Sequence, residues 1–152
     1  MEIRRANEGD LARLTAISEA VGSAAHWSRQ QWLDIFKTEI PARLAWIAEE
    51  RVSGREARAA GFLVAQNGGA EWELENIAVL PEFRRKGLGR QLLSTLTAQA
   101  RVLGAERMLL EVRGSNEEAI GLYRSEGFEL LGRRRGYYRN PEEDALILVH
   151  RL

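Results

Sequence analysis

The chain has 152 residues, 45% of them hydrophobic, with 22 basic side chains balanced by 22 acidic ones and no cysteine. That much apolar material can bury one substantial core, which predicts a single domain over residues 1–152 with no disordered segment. Zero net charge supplies no global field for nucleic acid or an anionic membrane, and the missing cysteines exclude disulfides, thiolate metal sites and an acyl-cysteine intermediate.

In chain order, a short strand is expected from Glu2 to Ala6. It precedes a helix capped within Asn7 to Asp10, with Leu11, Leu14 and Ile17 inward and Gly22 at its end. Ser28 reads as the N-cap of a second helix carrying Trp32, Leu33, Ile35 and Phe36, before Pro41 breaks the pattern. Strands are predicted at Leu44 to Ala48 and Gly61 to Gln66, separated by Glu49 to Arg58, which reads as a solvated hairpin loop. A turn at Asn67-Gly68-Gly69 leads into a strand, Glu73 to Val79, that Pro81 stops. Leu88, Leu92, Leu93, Leu96, Ala100 and Leu103 then repeat at helical spacing up to Gly104. Arg107 to Val112 reads as a largely buried strand with one carboxylate, Glu111. A capping box in Ser115-Asn116-Glu117-Glu118 opens a last helix that Gly127 ends. Two more strands are expected, at Phe128 to Arg134 and Ala145 to His150. This order implies a mixed α/β sheet. Met1 to Arg5 lacks the apolar core of a signal peptide and no run is apolar enough to span a bilayer, so a cytoplasmic location is expected.

The segment Arg84-Arg85-Lys86-Gly87-Leu88-Gly89-Arg90 lies between the strand ending at Val79 and the long helix. Glycines in a strand-to-helix turn let backbone N–H groups approach an anion, and the positive end of the helix dipole faces it. The segment therefore reads as a pyrophosphate cradle, against the plainer reading of a cationic turn. His26 and His150 are far apart and lack acidic or cysteine companions at ligand spacing, so no metal site is expected. No nucleophilic triad is evident, which favours direct attack in a ternary complex.

Asn76-Ile77-Ala78-Val79, the R-x-x-G-x-G turn, Leu110-Glu111-Val112-Arg113-Gly114-Ser115-Asn116 and Leu122-Tyr123-Arg124-Ser125-Glu126-Gly127-Phe128 occur in that order. With them the chain resembles the GNAT superfamily of acetyl-CoA-dependent N-acetyltransferases, and within it the branch that acetylates the N-terminal alanine of small-subunit ribosomal proteins. The resemblance implies the GNAT fold, a mostly antiparallel sheet of about seven strands, flanked by helices and splayed at the acetyl-CoA site. It implies acetyl-CoA as cosubstrate and the N-terminal peptide of a ribosomal protein as acceptor. A small-molecule amine or an internal lysine is the alternative acceptor, and a catalytically silent acetyl-CoA-binding module the alternative of another class.

The resemblance also implies roles. Ile77, Ala78 and Val79 would pair through their backbone with the pantetheine arm, and Arg84, Arg85, Lys86, Gly87, Leu88, Gly89 and Arg90 would hold the pyrophosphate. A bulge near Asn76 or Ile77 would splay the sheet and leave a donor for the thioester oxygen. Glu111 would be the general base, against a structural pairing with Arg113 or Arg107. Tyr123 would be the general acid for the CoA thiolate, against a core aromatic role. Asn116 is either a cofactor contact or a helix cap. Trp27 either borders the peptide groove or anchors the second helix, and Glu75, expected to face away from Asn76, either attracts a cationic acceptor or is solvated. Tyr137 and Tyr138 match a tyrosine pair near the acceptor site, with Gly136 departing from the usual Asn. Arg133, Arg134 and Arg135 read as a solvated edge rather than an RNA-binding patch.

Overall fold

A computed structural model describes residues 1–22, 24–38 and 41–152. The chain runs β1 (Glu2–Arg5), α1 (Leu11–Ala20), α2 (Arg29–Asp34), β2 (Ala42–Glu50), β3 (Arg58–Gly68), β4 (Glu71–Val79), α3 (Leu88–Val102), β5 (Arg107–Arg113), α4 (Glu117–Ser125), β6 (Glu129–Tyr138) and β7 (Glu143–Arg151). The strands form one seven-stranded sheet in the order β1-β2-β3-β4-β5-β7-β6. Among the described residues only the β4–β5 pair is parallel, because α3 carries the chain across between them. No helix is long and apolar enough to cross a membrane among the described residues.

Alternation along the strands divides the core in two. Leu44, Trp46, Leu63, Trp72, Met108, Leu110 and Leu148 face the apolar stripe of α3 and, on α4, Tyr123. Ala45, Ile47, Phe62, Val64 and Ala78 face α1 and α2, where Trp32 seats its ring 5.4 Å from Phe62. The element order matches expectation and the ends differ. The strand β6 runs on to Tyr138, because β7 pairs with it to that point. A single 3-10 turn, Glu8–Asp10, precedes α1, with Asn7 as its cap. The cap of α4 is Asn116, one residue later than the expected box, and its Oδ1 accepts from the Ala119 N–H at 3.2 Å. Ser115 instead donates its backbone N–H (3.1 Å) and its hydroxyl (2.8 Å) to Glu143.

Glu49 corrects a sequence expectation. It belongs to β2 rather than to a solvated loop and is 2% exposed. Its carboxylate accepts from Arg4 at 2.6 Å and pairs with Arg13 at 3.0 Å, while Asp10, also buried, takes both arginines as well. This cluster ties β1, α1 and β2 together and holds the Asp10 carboxyl well below the usual range, with the Arg4 hydrogen bond as the largest cause.

A carboxyl depressed in the folded state adds stability that is present above its unfolded pKa and is lost as pH falls below it. Asp10→Asn is therefore expected to cost about 3 kcal/mol at pH 7. In urea titrations the gap from the wild type should narrow below about pH 4, near the ordinary aspartate pKa. A gap independent of pH would show that the charge is not what stabilises.

Candidate functional site

The site begins with an interruption in β4. Val64 pairs with Asn76 and Ala65 with Leu74, so Glu75 is an extra residue, a bulge one position before the expected place. The slip reverses the alternation. Trp72 and Leu74 face α3 before it, Ile77 and Val79 pack against that same core after it, and Ala78 turns to the α1 and α2 side. Asn76 turns there too, its Oδ1 accepting from the Ala25 N–H at 3.3 Å. Glu75 thus shares a face with Asn76 instead of opposing it. On the other edge of β4, β5 pairs only from Glu71↔Arg107 to Leu74↔Leu110. Beyond Leu74 the two strands part, and the stretch Glu75 to Val79, including Ile77, Ala78 and Val79, borders an open cleft.

At the end of this cleft the chain turns into α3. Arg85 has φ 60° and the N-cap Gly87 has φ 78°, and no side chain among the described residues caps the helix. The first-turn N–H groups are consequently left for a ligand or water. The cations divide. Arg84 donates through Nε to the Val79 carbonyl at 3.1 Å, and Arg90 pairs with Glu126 at 2.8 Å, tying α3 to α4. Arg85 makes no such bond among the described residues, and Lys86 lies over the Phe83 ring at 5.9 Å. Both are exposed at the helix start. Leu88 is a core side chain. Gly89 allows close packing, since a Cβ there would stand 3.0 Å from Leu122 Cδ2.

The two expected proton-transfer residues flank β5. Met108, Leu110 and Val112 point to the α3 core, so Glu111 projects from the opposite face. Its partner is neither Arg113 nor Arg107, which pair with Glu143 (3.2 Å) and Glu71 (2.6 Å), but Arg134 of β6 at 3.4 Å. Tyr123 is 6% exposed, 5.8 Å from the Phe128 ring, with its hydroxyl in no hydrogen bond among the described residues. Burial pushes its phenol above the ordinary range, and Tyr138 adds to the shift. Tyr138 is raised as well, by burial first and then by the Glu111 charge. It lies beneath the Arg113 guanidinium (4.2 Å) and edge-on to Tyr137 (5.2 Å). The pair therefore adjoins Glu111 electrostatically and stands near Tyr123.

Other candidates sort differently. Asn116 is a helix cap. Trp27 is half-buried against Trp32, with ring centroids 5.0 Å apart, which anchors α2 at the rim of the bulge. Glu75 is not solvated: Arg43 of β2 holds it through two contacts, at 2.8 and 3.3 Å. Sequence reasoning passed over Arg43 and Glu73 and gave Arg134 only a place on a solvated edge, because only the strand order brings residues from β2, β4, β5 and β6 to one face. A solvated edge describes Arg133 and Arg135, whereas Arg134 reaches Glu111.

Residues 12–128 match the model of the acetyltransferase (GNAT) family. The [ribosomal protein bS18]-alanine N-acetyltransferase of Salmonella typhimurium is 45% identical over 94 residues, 60% of this chain and 64% of that protein, so the match spans a little under two thirds of that relative. The crystal structure of the ribosomal-protein-S18-alanine N-acetyltransferase from Escherichia coli superposes with a TM-score of 0.84 at 32% identity, over 99% of this chain and 92% of that one. Arabidopsis thaliana NAA60, solved in complex with acetyl-CoA, superposes with a TM-score of 0.86 over 99% of each chain; at 19% identity this likeness concerns the fold.

The backbone at the helix start separates the two glycines experimentally. Gly87→Val forces a β-branched residue into the left-handed region and should cost about 1–2 kcal/mol in urea unfolding. Gly89→Ala meets only a movable methyl and should stay within about 1 kcal/mol of the wild type. Equal costs would refute the distinction.

Proposed function

The chain belongs to the acetyltransferase (GNAT) family, and from that premise we propose that it transfers the acetyl group of acetyl-CoA to the N-terminal α-amino group of a protein, the N-terminal alanine of ribosomal protein bS18 being the preferred acceptor. The observation that carries this reading is the parting of β4 and β5 after Leu74 and Leu110, with Glu111 on one face of β5 and Tyr123 packed behind the other. The cleft fits the donor. Among the described residues one side of β4 lacks a ladder partner beyond the bulge, and an extended amide-bearing arm satisfies it as a strand would. The uncapped start of α3, with Arg85 and Lys86, suits a pyrophosphate.

The chemistry requires two protons to leave the acceptor nitrogen and one to reach the departing sulfur. Only a neutral amine attacks a thioester, so Glu111 takes the proton of the incoming ammonium, directly or through water. Deprotonating an α-amine of pKa about 8 at pH 7 costs roughly 1.4 kcal/mol, against about 4.6 kcal/mol for a lysine near 10.4, which favours a terminal amine. Nitrogen attacks the acetyl carbon, the tetrahedral intermediate collapses as the C–S bond breaks, and the second nitrogen proton passes through water to replace the one Tyr123 gives up. Tyr123, held protonated by its burial, donates to the departing thiolate. Arg134 occupies Glu111 until the acceptor arrives.

The test is CoA release with acetyl-CoA and an alanine-starting bS18 peptide, the same peptide with its α-amine blocked, and a peptide whose only amine is an internal lysine. Turnover confined to the free α-amine is expected; turnover confined to lysine would overturn the acceptor assignment. Glu111→Gln and Tyr123→Phe should each lower kcat by roughly 100-fold or more with the KM for acetyl-CoA little changed. Because the Tyr123 phenol lies above its ordinary range, kcat/KM should climb through the amine titration near pH 8 and hold to about pH 10. A decline between pH 8 and 10 that Tyr123→Phe abolishes would contradict this.

A further inference from the structure

The carboxylates of β4 and β5 on the Glu111 face are matched with arginines. Glu71 has Arg107 at 2.6 Å, Glu75 has Arg43 at 2.8 Å and Glu111 has Arg134 at 3.4 Å. Glu73 departs from the pattern. It stands among them on β4, exposed, with no ion pair or hydrogen bond to another described residue. Desolvation first, then the charges of Glu75 and Glu111, hold its carboxyl above the ordinary range; Arg43 offsets them only in part. A cation brought to this point relieves a repulsion that the fold leaves in place.

The position of Glu73 says which cation. In the parallel ladder it stands opposite Leu109, so Glu111 lies two residues further along the neighbouring strand on the same face. At about 3.3 Å rise per residue and about 4.8 Å between strands, their Cα atoms are about 8 Å apart. An extended peptide advances about 3.3–3.6 Å per residue. An acceptor with its α-amine at Glu111 therefore brings a long side chain on its second residue within reach of Glu73. A second observation points to a peptide there. Asn76, on the same face and 4% exposed, spends Oδ1 on Ala25, while Nδ2 is buried without a partner among the described residues. A spare amide donor on the face of β4 that carries Glu73 suits the carbonyl oxygen that a peptide acceptor carries and a simple amine lacks.

We propose that Glu73 is a specificity-determining residue that receives a cationic side chain at the second position of the acceptor peptide, an inference that rests on the N-terminal acetyltransferase reading. The experiment uses the full chain, acetyl-CoA and Ala-X peptides identical except for X as Arg, Lys, Gln or Glu. The wild type should favour Arg and Lys over Gln by about tenfold in kcat/KM, the worth of one hydrogen bond to a charged group, with the difference in KM. Glu73→Gln should bring that ratio to within about twofold, and Glu73→Lys should make X as Glu the better acceptor. The ratio is taken within each variant, so a general loss of folded enzyme cancels. An unchanged ratio in Glu73→Gln, or no cationic preference in the wild type, overturns the proposal and leaves N-terminal acetylation standing. Absence of turnover with every free α-amine peptide overturns the underlying reading itself.

Discussion

One inserted residue governs this molecule. Glu75 has no opposite number on β3, and the slip does two things that a regular strand could not. It lets β4 contribute Trp72 and Leu74, then Ile77 and Val79, to one core while Ala78 reaches the other. It also bends β4 away from β5 after four paired residues, opening the cleft on which every functional argument depends. The cleft survives because its walls are anchored elsewhere. Trp72, Met108 and Leu110 are fully buried below it, and β7 pairs with β5 along its whole length.

The bulge is also where the sequence was more legible than the reading drawn from it. In Glu71 to Val79, large apolar residues fall at 72 and 74 and then at 77 and 79, two alternations out of phase by one residue. A period-2 pattern that changes phase inside a strand has no regular solution, since one half would face solvent. The break lies at Glu75 and Asn76, and it implies that the two share a face. The order of elements was readable for a similar reason: each carries its own periodicity and its own stop. What was hidden depends on partners distant in sequence. Glu49 looks like the start of a charged loop until Arg4, 45 residues away, meets its carboxylate. Arg134 looks like an edge residue until β7 sets β6 beside it and brings the guanidinium to Glu111.

Cations in the expected anion cradle show the same limit. Composition gave Arg84, Arg85, Lys86 and Arg90 equal claims, and the fold does not honour them equally. Arg84 closes the end of β4, and Arg90 joins α3 to α4 through Glu126. What remains for a ligand is mostly backbone: an uncapped helix start behind two residues of positive φ, with Arg85 and Lys86 at its rim. Anion binding of this kind tolerates side-chain change, because the N–H groups do not depend on side-chain identity.

The two faces of β5 carry opposite electrostatic tasks. Behind it, Tyr123 is desolvated enough to keep its proton. In front, Glu73, Glu75 and Glu111 gather negative charge that Arg43 and Arg134 only partly offset. In the proposed reaction an ammonium must displace Arg134 from Glu111. That exchange is feasible because the arginine is more than half exposed and its contact is long, 3.4 Å. A pair of this kind is worth about 0–1 kcal/mol, and the arginine keeps the Tyr137 ring 5.4 Å away. A buried, bidentate partner would instead compete with substrate on equal terms. The looseness of this ion pair is therefore what lets Glu111 be both held in the free protein and available when an amine arrives.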